Sequence, residues 1–197
     1  ETILGEAEIL ETFAREIAGK AQYASLKLGV LAAANGAGVT CVNLLPEPET
    51  LPAEVVEAIQ QGIQDAASSG VVQGYPVVDV HVELRGATYR SEDSSPLAFQ
   101  IVAGLAFRRA LEAARPVLLE PVMHLEILVP EEFTGGIIGG LQSRHGVIEH
   151  IESRERLQTI TALVPLAATF GYTTDLRSAS QGRGTFTMQF ARYAPVQ

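Results

Sequence analysis

The chain has 197 residues, 47% apolar and 19% charged, which suits one folded domain or two small ones and excludes a disordered polyelectrolyte. Its 14 Lys and Arg stand against 23 Asp and Glu, a formal charge of −9, so the broad basic footprint of a free nucleic-acid binder is absent and only local basic contacts are left. No apolar run approaches the roughly 20 residues that span a bilayer, acids fill the N-terminal stretch where an export signal needs bases, and the lone Cys41 excludes an internal disulfide and suits a reducing cytoplasm.

Read in chain order, a polar lead gives way to an extended segment, "QYASLKLGV" (Gln22–Val30), with partial alternation. "GVTCVNLL" (Gly38–Leu45) reads as its strand partner across the turn-prone "AAANGAG". After "PEPETLP", Val55, Val56, Ile59 and Ile63 recur at helical spacing, with Gly70 placed to end the helix. "YPVVDVHVEL" (Tyr75–Leu84) is a predicted strand with Val78, Val80, Val82 and Leu84 on one face and Asp79, His81 and Glu83 on the other. The clearest helix is "SPLAFQIVAGLAFRRALEAARP". Ser95 is its N-cap and Pro96 its first position, where the missing N–H costs nothing. Leu97, Ile101, Leu105 and Ala106 form the expected buried stripe, and Pro116 closes the segment.

Pro116 is the expected domain boundary, giving 1–115 and 116–197. The first part carries 15 acids and 8 bases, the second 8 acids and 6 bases. After it the rhythm is strand ("VMHLEILVP"), helix ("EEFTGGIIGGLQSRHG", bearing Phe133, Ile137, Ile138 and Leu141), and two strands joined by a tight turn near Glu155–Arg156. A helix ("LAATFGYTTDLRSAS") and a strand ("GTFTMQF") complete it. That β-α-β-β-α-β order predicts a ferredoxin-like sandwich. Gly135, Gly136, Gly139 and Gly140 each cost about 1 kcal/mol relative to Ala in a helix, and close approach of helix to sheet is the expected compensation.

Chemistry is sparse. His81, His124, His145 and His150 share no metal-ligand spacing with one another or with Cys41, and each reads as structural. There is no G-x-x-x-x-G-K-S/T and no G-x-S-x-G. Glu131–Glu132 sits at a helix start, where negative charge meets the helix dipole. The polar flanks of "GGIIGG" rule out a membrane packing motif. In "QGRG" the glycines follow a helix instead of opening one, and Phe186, Met188 and Phe190 alternate with Thr185, Thr187 and Gln189. This is a helix-to-strand passage and not a phosphate cradle. No residue reads as a catalyst.

Long collinear blocks carry a resemblance: "GYPVVDVHVEL", "SPLAFQIVAGLAFRRA", "PVLLEPVMHLEILVPEEFTGGIIGGL" and "VPLAATFGYTTDLRSASQGRGTFTMQFARY". Over nearly its whole length the chain resembles the C-terminal part of translation elongation factor G, the domains numbered IV and V, and looks like a fragment of a larger factor cut at a domain boundary. The resemblance implies an α+β architecture. The first domain would be a two-layer α/β domain like one in a small-subunit ribosomal protein, with a left-handed crossover, and the second a ferredoxin-like sandwich. It implies a non-catalytic, cytoplasmic, monomeric arm in tRNA–mRNA translocation. Its partner would be the ribosome: ribosomal RNA of both subunits, with tRNA and mRNA at the decoding site. No cofactor belongs to this chain; GTP and magnesium belong to the absent GTPase domain.

Two loops form the functional tip of domain IV in that family. The first usually reads Ser-Gly-Gly-Arg-Gly-Gln-Tyr and here reads "IAGKAQY", Ile17–Tyr23. Gly19, Gln22 and Tyr23 match, Lys20 keeps the positive charge, and Ile17, Ala18 and Ala21 depart. The second usually carries His after Tyr; here Tyr89 is followed by Arg90 and Ser91. Arg can grip phosphates or stack on bases. Arg183 is a further contact implied in domain V. The tip departures keep a ribosome-recycling or ribosomal-protection paralogue in view, although "LRSASQGRG" follows the translocase pattern. A ferredoxin-like small-ligand module is the reading from another class, resting on fold analogy alone.

Overall fold

The protein, a computed structural model, is described over residues 1–45 and 51–196; the "PEPET" part of the predicted turn lies outside the described residues. Two compact units are present, Glu1–Leu118 and Leu119–Gln197.

In the first unit the elements are β1 (Thr2–Ile3), β2 (Glu6–Ile17), β3 (Lys20–Ala32), β4 (Val39–Asn43), α1 (Ala53–Ala67), β5 (Val80–Thr88), α2 (Pro96–Ala113) and β6 (Pro116–Val117). Four strands make one sheet in the order β2-β3-β5-β4, while β1 pairs with β6. The polar lead is in fact β2, paired antiparallel with β3 along its whole length. Its core-side residues Ala7 and Ile9 are only partly buried and Phe13 alone is fully so, and the acids between them mask the alternation. β4 is not the hairpin partner of β3. It lies parallel to β5, with α1 as the crossover that a parallel pair requires.

The alternation of the 75–84 segment breaks at Asp79, which holds a left-handed φ of 60°. The Asp79 carboxylate accepts from Gly38 N at 3.1 Å and its carbonyl from Ala33 N at 2.9 Å, fixing that conformation. The strand therefore begins at Val80, and Val77, not Val78, is buried before it. Gly70 does not end α1, which stops at Ala67 with Ser68 as its cap. Gly70 instead turns the chain so that four backbone N–H groups, from Val71, Val72, Gln73 and Tyr75, converge on the carboxylate of Glu1 at 2.6–3.2 Å.

Ser95 caps α2 as expected, accepting from Ala98 N at 3.2 Å. The buried stripe is different. Leu97 and Leu105 are exposed, while Phe99, Val102, Phe107 and Leu111 with the alanines 98, 103, 106 and 110 fill the core. The reason is close packing: a Cβ on Gly62 of α1 would stand 2.2 Å from the Gln100 carbonyl oxygen of α2, so small residues face α1 and the bulky Leu row turns outward. On the sheet's other face the Arg85 guanidinium lies across Gly29 and pairs with Glu8 (2.8 Å) and Glu83 (2.7 Å), which makes that face polar.

The second unit comprises β7 (Leu119–Pro130), a 3-10 turn (Glu131–Phe133), α3 (Thr134–Gln142), β8 (Val147–Arg154), β9 (Leu157–Pro165), a second 3-10 turn (Leu166–Thr169), α4 (Tyr172–Ala179) and β10 (Thr185–Pro195). Its sheet runs β10-β7-β9-β8, antiparallel throughout, which is the ferredoxin-like arrangement. Leu125, Ile127, Ile160 and Val164 meet Ile137 and Leu141 of α3 and Tyr172 and Leu176 of α4. The predicted helix over 166–180 is divided, because Gly171 takes a φ of 78° between the 3-10 turn and α4. Of the alternating aromatics in β10 only Phe186 packs on this core; Met188 and Phe190 are exposed. The four glycines of α3 are not explained by approach to the sheet, since an added Cβ at any of them meets nothing within 4 Å.

Candidate functional site

β2 and β3 continue past the last buried pair, Phe13 and Ala24, and the hairpin end beyond them is largely exposed. Its turn has two residues, Ala18 (φ 50°) and Gly19 (φ 79°), and positive φ at both positions is the twist-matched hairpin geometry. A non-glycine residue in that region costs roughly 1–2 kcal/mol, so Ala18 holds the turn under strain where glycine would not. The turn leaves Lys20 as the first residue of β3, opposite Ile17 and exposed. The "IAGKAQY" loop is thus a two-residue turn flanked by paired strand.

The second loop, residues 89–95, is fastened to this hairpin. Tyr23 N donates to Asp93 O at 2.8 Å, and Ser94 Oγ donates to Tyr23 O at 2.8 Å. Arg90 N donates to Ser94 Oγ at 2.9 Å while Ser94 N donates to Arg90 O at 2.8 Å, closing the loop on itself. Ser95 Oγ, besides capping α2, donates to Gln22 Oε1. Across this clasp the Arg90 guanidinium carbon sits 3.5 Å from the centre of the Tyr23 ring, and Nη1 lies 3.8 Å from an Asp93 carboxylate oxygen. Tyr89 leans towards the core, its ring 6.2 Å from that of Phe99.

Gln22, Tyr23 and Arg90 therefore come together. Gly19 and Lys20 stand at the hairpin turn, Tyr89 anchors the second loop and Ser91 is exposed on it. Asp93, Ser94 and Ser95 make the clasp, yet the sequence does not single them out as site residues. The one signal it offers is the Ser-Ser-Pro run, which reads locally as a helix cap.

Arg183 stands elsewhere, in the second unit, where it pairs with Glu132 and lies 4.7 Å from the Phe133 ring centre. The turn before it is a helix stop: Gly182 N donates to Arg177 O at 2.7 Å and Gly184 N to Ser180 Oγ at 2.9 Å. The segment follows the C-terminus of α4, where the helix dipole presents negative potential. His81 Nδ1 hydrogen-bonds with Thr40 Oγ1 at 2.8 Å, His124 faces Glu149 at 3.9 Å and His150 faces Glu152 at 3.4 Å. Among the described residues no three His, Cys, Asp or Glu side chains cluster as a metal would need, and no helix is long and apolar enough to cross a membrane.

Comparison with known proteins adds a family to this geometry. Residues 1–115 match the family described as elongation factor G, domain IV, and residues 117–197 match that described as elongation factor G C-terminus. A crystal structure of a protein from Thermus thermophilus superimposes with a TM-score of 0.83 at 35% identity, covering 99% of this chain. The chain spans 29% of that protein's length.

Proposed function

The chain belongs to the elongation factor G family, comprising its domain IV and its C-terminal domain, and from that premise we propose that it is the non-catalytic, ribosome-engaging arm of a translocating factor. Gly19, Lys20, Gln22, Tyr23, Tyr89, Arg90 and Ser91 form its RNA-facing tip at the decoding site, against tRNA and mRNA. Arg183 belongs to the second domain's contact with the large subunit's ribosomal RNA. GTP and magnesium act in the GTPase part of the parent factor, in the cytoplasm, and drive the movement that this arm transmits. The observation that carries the reading is the clasp: two loops far apart in sequence are joined by backbone hydrogen bonds at the exposed end of the unit, beyond its core. A loop end with no function has no need of such fastening.

Departures at the tip support a second reading, a ribosome-recycling or protection paralogue. Ala18 occupies a positive-φ turn position where the family pattern has glycine, and Arg90 stands in place of histidine. Either reading requires ribosome binding through the tip.

Co-sedimentation of the full chain with ribosomes tests this. The double variant Lys20→Glu, Arg90→Glu is expected to bind about tenfold or more weakly, because reversing interface charge opposes RNA phosphates. Its melting should shift by under about 0.5 kcal/mol, as exposed substitutions do. Unchanged binding by the double variant would overturn the tip assignment.

A further inference from the structure

We propose that Arg90 is a stacking platform for an unpaired RNA base, and that the phosphate contact at the tip is left to Lys20. The proposal rests on the tip reading above and assigns the two cations different chemistry within it.

Charge makes the first distinction. The segment Tyr89–Ser94 reads "YRSEDS", so one Arg stands against Glu92 and Asp93 and the loop is net negative. Asp93 lies 3.8 Å from Nη1 of Arg90 itself. A phosphate approaching this loop meets two carboxylates around a cation that is already answered. An uncharged base face meets no such opposition. Lys20 is placed differently: it is exposed at the hairpin turn, with no salt bridge among the described residues, and the nearby Glu16 is balanced by Arg15.

Shape makes the second. Tyr23 covers one face of the guanidinium at 3.5 Å, yet half of the Arg90 side chain remains exposed, which leaves the opposite face open to solvent. A planar cation on an aromatic ring offers a flat second surface, and guanidinium planes stack on unpaired bases. The platform is also preorganised. Tyr23 is held at N and O by Asp93 and Ser94, and Arg90 at N and O by Ser94. Little ordering is left to oppose binding, so the stacking energy is realised in affinity.

The separation of roles predicts distinct responses to salt. A lost phosphate contact lowers the slope of log affinity against log salt by about 1, whereas a lost stacking contact lowers affinity at every salt concentration without changing the slope. Binding of the full chain to programmed ribosomes would be titrated across a salt series for the wild type, Arg90→Lys, Arg90→Gln and Lys20→Gln, with thermal melts establishing that each variant is folded. Arg90→Lys keeps the charge and removes the plane. It is expected to weaken binding on the order of tenfold with the slope unchanged, and Arg90→Gln should match it. Lys20→Gln should flatten the slope.

A wild-type affinity for Arg90→Lys, together with a flattened slope for Arg90→Gln, would show a phosphate contact and overturn the proposal. If Lys20→Gln flattens the slope while both Arg90 variants bind like wild type, the stack fails and the tip reading survives. If no tip variant changes binding, both fail. Repeating the series on ribosomes without mRNA or tRNA locates the base. A persisting Arg90 effect places it in ribosomal RNA, a vanished one in the mRNA or tRNA, and either supports stacking.

Discussion

Leu105 is 44% exposed on α2, whereas Phe107, two residues further on, is fully buried against the sheet. Leu105→Ala should consequently be almost neutral, within about 0.5 kcal/mol, while Phe107→Ala should cost roughly 3–5 kcal/mol. Denaturant titration of the two variants checks this, and a Leu105→Ala cost in the core range would contradict the orientation of α2. Glu1 is the other residue with a sharp expectation. Burial pushes its carboxyl up, but the four backbone N–H donors outweigh that and hold it at about 2, below the ordinary 4.5. A carboxylate with a lowered folded pKa contributes stability that is complete above the ordinary value and lost as pH falls through the folded one. Glu1→Gln should therefore cost on the order of 2 kcal/mol at neutral pH. It should also remove part of the fall in melting temperature that the wild type shows between about pH 4.5 and 2. A pH profile identical to wild type would show that the 70–75 loop does not depend on the charge.

At the scale of the element, α3 places four glycines where an added methyl meets nothing within 4 Å. Gly139→Ala should then stabilise the unit by about 0.5–1 kcal/mol through helix propensity alone, measured by thermal melting. A loss of stability would mean that the open face is not open.

Several elements are legible in the sequence because local chemistry sets them. The Ser95–Pro96 start of α2, the β8–β9 turn and the whole β-α-β-β-α-β order follow from caps, turns and period. Others are hidden by tertiary context. β2 alternates weakly because its core-side residues are half-buried and its outer face is acidic. The pairing of β4 with β5 depends on a crossover that no local pattern announces. The buried face of α2 escapes a reading that equates side-chain size with burial, because tight packing on α1 favours alanine. The same limit applies to the tip. Lys20, Tyr23 and Arg90 can be selected along the chain, but that Arg90 lies on the Tyr23 ring and that Ser94 fastens both are facts of three dimensions.

For the whole molecule, a formal charge of −9 and a ribosomal partner are compatible only if contact is confined to small, built sites such as the tip. The most direct measurement uses the single Cys41. A Cys41→Ser, Ser91→Cys chain carrying an iron chelate would be bound to ribosomes, and hydroxyl-radical cleavage of the ribosomal RNA mapped. Cleavage concentrated in the decoding region of the small subunit is the predicted result. Cleavage confined to other regions, or a pattern unchanged when the chelate is moved to a position remote from the tip, would contradict a tip that faces the decoding site.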